Sequence, residues 1–385
     1  MRTVRFGIIG CGMMGREFAS AAARWLHVPE LTVRPEIVAI CNRTLDVPKI
    51  AWFRENVPTL RQVTSDYREL LANPEVEAVY VAVPHHLHEE LYVAALEAGK
   101  HLMGEKPFGI DRKANEAIVG AIERHPECFV RCASQFLFFP AVQRIGRMIE
   151  AGAFGRIIEV NAGFLHSSDL NPQKPINWKR MFRYNGEYGC MGDLGPHACT
   201  IPFRAGWLPK NVRAVLTDIV RERPDGEGGM APCETWDNAV LLCEMQDAVS
   251  GGEFPFNLRI ERISPGEKNN WYVEIYGTRA SVRYSLKDAN ALELLEYAPG
   301  GEQHWRRIDM GHEVTYPSIT PEIFQFGVSD AILQMWAAFL VELDTGHAPA
   351  PFAGCVTPAE SALWHGLFTA ALESQARTTT VAVAP

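Results

Sequence analysis

Residues 186–207, GEYGCMGDLGPHACTIPFRAGW, set Asp193 and His197 four residues apart with glycine and proline between them. One helical turn has that spacing, so both side chains can point from one face of a helix start into one space. A carboxylate that orients an imidazole is acid–base machinery. A capping aspartate beside a satisfied core histidine is the alternative, and the motif in isolation favours it. A third candidate, Lys106, sits in GKHLMGEKPFG at the carboxyl end of a predicted strand. Ligands of open α/β sheets bind beyond such ends. Glu105 precedes the lysine and can hold it, and Lys106–Pro107 is a candidate cis peptide.

What those groups would act on is suggested by Gly10-Cys11-Gly12-Met13-Met14-Gly15, a GxGxxG match directly after a strand and before a helix. The first glycine permits the tight turn, the second lets the backbone approach a pyrophosphate, and the third lets helix and strand pack closely. The helix start, with Met13 and Met14 in its first turn, offers N–H groups to phosphates. A dinucleotide is expected. The second strand ends in AICNRT, so Asn42 stands where a ribose-binding carboxylate is expected, and Arg43 follows. An amide with a guanidinium suits a 2′-phosphate, which favours NADP over NAD; an Arg43 stacked on adenine is the alternative. VAVPHHLHEE (81–90) ends the neighbouring strand, and Pro84, His85 and His88 are expected near the nicotinamide. Three histidines with His86 raise the question of metal, but no separate carboxylate set accompanies them, and none is expected.

The elements that must position these residues fall into two patterns. In the first third, apolar runs such as VRFGIIG, EIVAICN and AVYVAVP alternate with amphipathic stretches at 13–27 and 86–98, which means a parallel sheet covered on both faces. From about residue 154, GRIIEVNAGFLH, NVRAVLTDIV, WDNAVLLCEM, FNLRIERIS, NWYVEIYGT and ASVRYSL follow with partial two-residue alternation, which predicts antiparallel sheet. PDGEGGMAP (224–232) reads as a surface loop. Helices return near 322–345 and from Pro358 to about Arg377, and TTTVAV is a candidate short strand. The fold class is an α/β Rossmann (doubly wound) domain plus an α+β domain. The expected boundaries are 1–133 for dinucleotide binding, 134–355 for substrate and oligomerisation, and 356–385 for a helix and strand packing back on the first domain.

Bulk properties narrow the function. A length of 385 residues suits two domains. A net charge of −9, with no basic run, argues against nucleic acid. Nine cysteines without a CxxC pair read as reduced thiols rather than a disulfide framework or zinc site. No leader pattern and no apolar stretch of membrane-spanning length is evident, so a cytoplasmic location is expected. In FLHSSDLNPQKPINWKRMF, the residues His166, Asp169, Asn171, Trp178, Lys179 and Arg180 are candidates for a sugar ring, a Trp face stacking on C–H groups and polar atoms addressing hydroxyls. A Trp178 that plugs the loop, with solvated charges, is the alternative.

GIIGCGMMG, AGKHLMGEKP and GDLGPHA, in that order, resemble the glucose–fructose oxidoreductase / inositol dehydrogenase / rhizopine-catabolism (Gfo/Idh/MocA) family. The resemblance covers essentially the whole chain. It implies an NAD(P)-dependent sugar or polyol dehydrogenase, with a large open antiparallel sheet often used for homo-oligomers, dimers or tetramers. It also implies that Lys106, Asp193 and His197 surround the carbinol carbon, with His197 as acid/base and Lys106 stabilising the alkoxide. The chain departs from the family at Gln135, where an Asn is common. Two other outcomes remain open: an NAD-assisted glycoside-cleaving enzyme of the same fold, and a non-catalytic dinucleotide sensor.

Overall fold

An apolar run without alternation, FGII within Arg2–Ile9 (β1), needs cover on both faces. In the computed structural model, which describes residues 1–384, it gets that cover. β1 is followed by α1 (Met13–Ala23), β2 (Val33–Cys41), α2 (Pro48–Asn56), β3 (Gln62–Thr64), α3 (Tyr67–Leu71), β4 (Ala78–Val81), α4 (His88–Glu97), β5 (His101–Gly104), α5 (Arg112–Arg124) and β6 (Val130–Cys132). The six strands form one parallel sheet in the order β3-β2-β1-β4-β5-β6. The order reverses direction between β1 and β4, the switch point at which doubly wound sheets bind dinucleotides.

The chain divides into two units. The first comprises 1–109, 113–139 and 312–358; the second comprises 110–112, 140–311 and the chain from 359 onward. This differs from the boundaries expected from sequence. The returning helix near 322–345 is part of the first unit, because its apolar face completes that core. Trp336 stacks on Phe18 at 3.7 Å between ring centres and meets Phe6 and Tyr80 edge-on. Arg24 pairs with Asp330 at 2.5 Å and Arg131 with Glu342 at 2.8 Å. The last helix instead groups with the second unit.

The second unit holds α6 (Pro140–Glu150), β7 (Ile157–His166), α7 (Phe182–Asn185), α8 (Cys190–Arg204), β8 (Trp207–Thr217), β9 (Glu222–Pro224), β10 (Met230–Pro232), β11 (Asn238–Asp247), β12 (Glu253–Glu261), β13 (Asn269–Gly277), β14 (Ala280–Ser285), β15 (Ala291–Glu296) and β16 (Arg306–Asp309). α9 (Val328–Thr345) belongs to the first unit, and α10 (Pro358–Arg377) and β17 (Val381–Ala382) complete the element order. The nine-stranded sheet runs β16-β15-β14-β13-β7-β12-β11-β8-β17. Its neighbours are antiparallel except β7 and β12, which pair in parallel. The expected antiparallel sheet is therefore mixed at its centre. β12 alternates exposed and buried residues until Glu261, as a one-sided sheet requires. The 224–232 stretch expected as a loop is a hairpin tip, with β9 and β10 pairing on either side. The helix expected from 322 begins only at Val328, where Asp330 accepts from the Gly327 N–H. Among the described residues no helix is long and apolar enough to cross a membrane.

Candidate active site

The turn after β1 is made by close approach. Gly10 has φ +103°, and a Cβ there would lie 2.2 Å from the Ala82 carbonyl oxygen. A Cβ on Gly15 would meet the Gly10 carbonyl oxygen at 2.5 Å, so this glycine lets α1 sit against its own turn. Gly12 is different, because nothing lies within 4 Å of a Cβ built on it. Space beside the start of an 11-residue helix is what a pyrophosphate needs, and these glycines fit a dinucleotide. Met13 is exposed and Met14 half-buried. The Cys11 thiol is pushed up to about 12 by burial, so it is no nucleophile. At the end of β2, Asn42 spends its amide on the Thr44 carbonyl at 2.6 Å, while Arg43 is exposed.

The β4 and β5 ends hold the next candidates. The Tyr80 hydroxyl donates to Glu105 Oε1 at 2.6 Å, and the Tyr92 hydroxyl donates to the Glu105 carbonyl at 2.7 Å. Burial, then the Glu105 charge, holds Tyr80 well above its ordinary range, so it is a phenol donor. Two tyrosines thus clamp the residue before Lys106. Lys106 is half-buried, and the Lys106–Pro107 bond is cis. His85 and His88 are both interior. The His88 ring stacks on Tyr92 at 4.9 Å and its Nε2 lies 3.1 Å from the Val83 carbonyl, which makes it a brace for the turn. Pro84 is half-buried. Gln135 opens a short helical turn, Gln135–Phe138, in the first unit. Among the described residues no group of three or more His, Cys, Asp or Glu is placed to hold a metal.

In the second unit, α8 carries Asp193 and His197. Gly189 turns the chain into it at φ +58°, where a Cβ would lie 2.7 Å from the Trp236 nitrogen. Asp193 is in the first turn, where the helix dipole favours an anion, and Pro196 withholds its N–H from the turn that follows. The His197 carbonyl accepts from Trp271 Nε1 at 3.0 Å and from the Thr200 hydroxyl at 3.1 Å. Its ring meets Phe164 edge-on at 5.8 Å. Both side chains are buried, Asp193 at 2% and His197 at 6% exposure.

Asp193 is not a simple cap. Lys179 Nζ reaches both of its oxygens, at 3.1 and 2.9 Å, and the Arg262 guanidinium donates to Oδ2 at 2.8 Å. Lys179, expected at the substrate, thus holds the carboxylate, with Trp178 alongside it at 5.7 Å. Asp169 and Arg180, also expected to address substrate, are shut inside the unit at 2% and 0% exposure. Arg180 pairs with Asp237 and donates to the Thr235 carbonyl at 3.2 Å. Lys174 donates to Asp169 at 2.8 Å. Burial pushes the Asp169 carboxyl up, but the Lys174 bond and the Arg262 and Arg180 charges outweigh it, and the net shift is downward. His166 and Trp178 are half-buried. Arg262, Arg223 and Asp237 were missed by sequence reasoning. Arg223 donates to the carbonyls of Asp169 and Asn171 at 2.5 and 2.8 Å, pinning the loop between β7 and α7. The available signal for Arg262 was a charge directly after β12, where the exposed–buried alternation breaks.

Two family models match this chain in sequence order. The oxidoreductase family model described as an NAD-binding Rossmann fold (GFO_IDH_MocA) matches residues 4–132, and the GFO/IDH/MocA C-terminal domain matches 142–283. Levoglucosan dehydrogenase of Pseudarthrobacter phenanthrenivorans is 27% identical over 311 residues, 76% of each chain. Glycosyl hydrolase family 109 protein 1 of Bacteroides thetaiotaomicron is 26% identical over 233 residues, 57% of this chain and 47% of that one. A solved structure of levoglucosan dehydrogenase in complex with NADH and L-sorbose superposes with TM-score 0.88 at 24% identity, covering all of both chains, a likeness of fold.

Proposed function

Since the chain belongs to the GFO/IDH/MocA family of oxidoreductases, with an NAD-binding Rossmann domain, we propose that it moves a hydride between the cofactor and a secondary hydroxyl of a cyclic sugar, sugar derivative or inositol. The observation that carries this reading is the α8 turn, where an acid and an imidazole are both kept in the interior. A buried carboxylate one helical turn from a buried imidazole is a spacing suited to acid–base chemistry. His197 takes the hydroxyl proton, or returns it when a ketone is reduced. Lys106, held behind Glu105, supplies positive charge to the developing alkoxide. Asp193 orients the imidazole or accepts a neighbouring substrate hydroxyl. The nicotinamide, when bound, supplies the hydride acceptor. Gly10, Gly12 and Gly15 give the pyrophosphate room. His166 at the end of β7 and, in the loop that follows, Asn171 and Trp178 are the candidates left to meet the sugar ring.

Further parts of this reading are open to separate tests. NADP is favoured over NAD because Arg43 is exposed at the β2 end and no carboxylate occupies position 42. A cytoplasmic location fits nine buried cysteines, none of them in a disulfide. A homo-oligomer fits Val215, Val240 and Leu242, exposed apolar residues on β8 and β11.

A turnover screen of sugars and cyclitols with both cofactors tests the core claim. Reduction of cofactor is expected, and Lys106→Ala and His197→Ala should each lower kcat by about a hundredfold or more. Silence across a broad panel overturns the reading. Arg43→Ala should raise the KM for NADP about tenfold and leave that for NAD unchanged; a wild-type preference for NAD sinks the NADP claim. The likeness to glycosyl hydrolase family 109 protein 1 favours one second reading, redox-assisted glycoside cleavage. That enzyme would release aglycone without net cofactor turnover.

A further inference from the structure

Asp193 is gripped from two sides by cations of different character. Arg262 follows β12 and is tied in through its backbone as well: its N–H donates to the Asp237 carbonyl at 3.0 Å, and its carbonyl accepts from the Asp169 N–H at 3.3 Å. Its side chain is 4% exposed, so its guanidinium is part of the interior. Lys179 lies in the short helical turn Trp178–Arg180, within the loop between β7 and α7. Its side chain is 37% exposed. Its N–H caps onto Asn177 and its carbonyl accepts from the Thr235 hydroxyl, so the backbone is fixed while the ammonium lies at the edge. A planar guanidinium bonded within the core has one arrangement, whereas an ammonium on a four-carbon stem at a surface has several.

We propose that Arg262 is a positioning residue that fixes the Asp193 carboxylate for turnover, and that Lys179 is the arm through which the loop carrying Trp178 senses bound substrate. Arg262 sets the direction in which the Asp193 oxygens point from α8, one turn before His197. Lys179 transmits substrate contact to the same carboxylate, because its ammonium and Trp178 share one helical turn. The fork serves the proposed polyol oxidation and rests on that reading.

The two arms separate kinetically, since loss of an interaction used only in the transition state lowers kcat, and loss of uniform binding raises KM. With the substrate found in the turnover screen, Arg262→Gln should lower kcat at least tenfold with KM within twofold. Arg262→Lys, which keeps the charge but not the planar guanidinium, should recover only part of the loss. Lys179→Met should raise KM at least fivefold with kcat within threefold. Wild-type kcat in Arg262→Gln, or equal changes of kcat and KM in both variants, overturns the assignment. Should the wild-type protein turn over nothing, the failure belongs to the parent reading, and thermal melts decide the fork. Melting shifts for Asp193→Asn and Arg262→Gln that fail to add, by 2 °C or more, support it, and strictly additive shifts sink it. If Arg262→Gln does not fold, the same cycle is run with Arg262→Lys.

Discussion

At the phosphate turn the chain comes close to itself by having no side chains: Gly10 lies against the Ala82 carbonyl and Gly15 against its own turn, while Gly12 faces open space. Around Asp193 the chain comes together through side chains that carry full charge. Arg180 joins Asp237, Lys174 joins Asp169, and Lys179 and Arg262 join Asp193, most of them nearly unexposed. The first region is held by sterics, and its glycines lie within one six-residue stretch. The second is held by electrostatics and its residues are gathered from positions 169 to 262. A backbone-built site tolerates almost no added atom, whereas a charge-built site tolerates no lost partner.

The sharpest way to break this contrast is to remove a cation from the second region. Arg180→Met leaves Asp237 buried without its partner, although that carboxylate still accepts from the Ile219 and Val220 N–H groups. A loss of about 3–5 kcal/mol in denaturant unfolding is expected. A near-neutral result would mean the pair is dispensable and the region is held by packing. Next comes Gly10→Ala, where left-handed backbone and a backbone collision coincide, with roughly 3 kcal/mol of stability lost. Its partner variant sharpens the comparison. Gly12→Ala should leave the melting temperature unchanged and weaken dinucleotide binding about tenfold by titration. Equal stability losses at the two glycines would remove the distinction between them.

The smallest effect is an acid limb. The folded Asp169 carboxyl lies below its ordinary value of 3.8, so the stability it contributes is present above that value and is lost as pH falls through the lower, folded one. Lys174→Met removes the nearest cause of the lowering. Stability at neutrality should then fall, and the difference from the wild-type protein should shrink as pH drops through the folded Asp169 value and vanish below it. An unchanged stability at neutrality would show that Arg262 and Arg180 alone keep the carboxylate charged.

How much of this was legible in the sequence follows from the same contrast. GCGMMG could be read because strand, turn and helix start lie within fifteen residues, although the Ala82 carbonyl that Gly10 makes room for lies far along the chain. Asp193 and His197 could be paired because one helical turn joins them. Asp169 and Arg180 misled, since a polar, Trp-bearing loop looks the same whether its charges face solvent or close inward on Asp237. Arg262 was out of reach because its partner lies 69 positions away, on α8 rather than on a strand that pairs with β12, so no strand pattern links the two. The 328–345 helix was visible as a helix but not as a part of the first unit, since hydrophobic periodicity says which face is buried and not against what.

The stacking of Trp336 on Phe18 has an implication for synthesis. A ribosome that has released the first 139 residues has made all six parallel strands, yet the ring that closes their aromatic core is nearly two hundred codons away. Phe6, Phe18 and Tyr80 therefore lack that ring until α9 emerges, which at 5–20 residues per second is on the order of ten seconds or more. During that interval this face is open to a chaperone, and a message cut short before α9 would yield a Rossmann sheet that never seals.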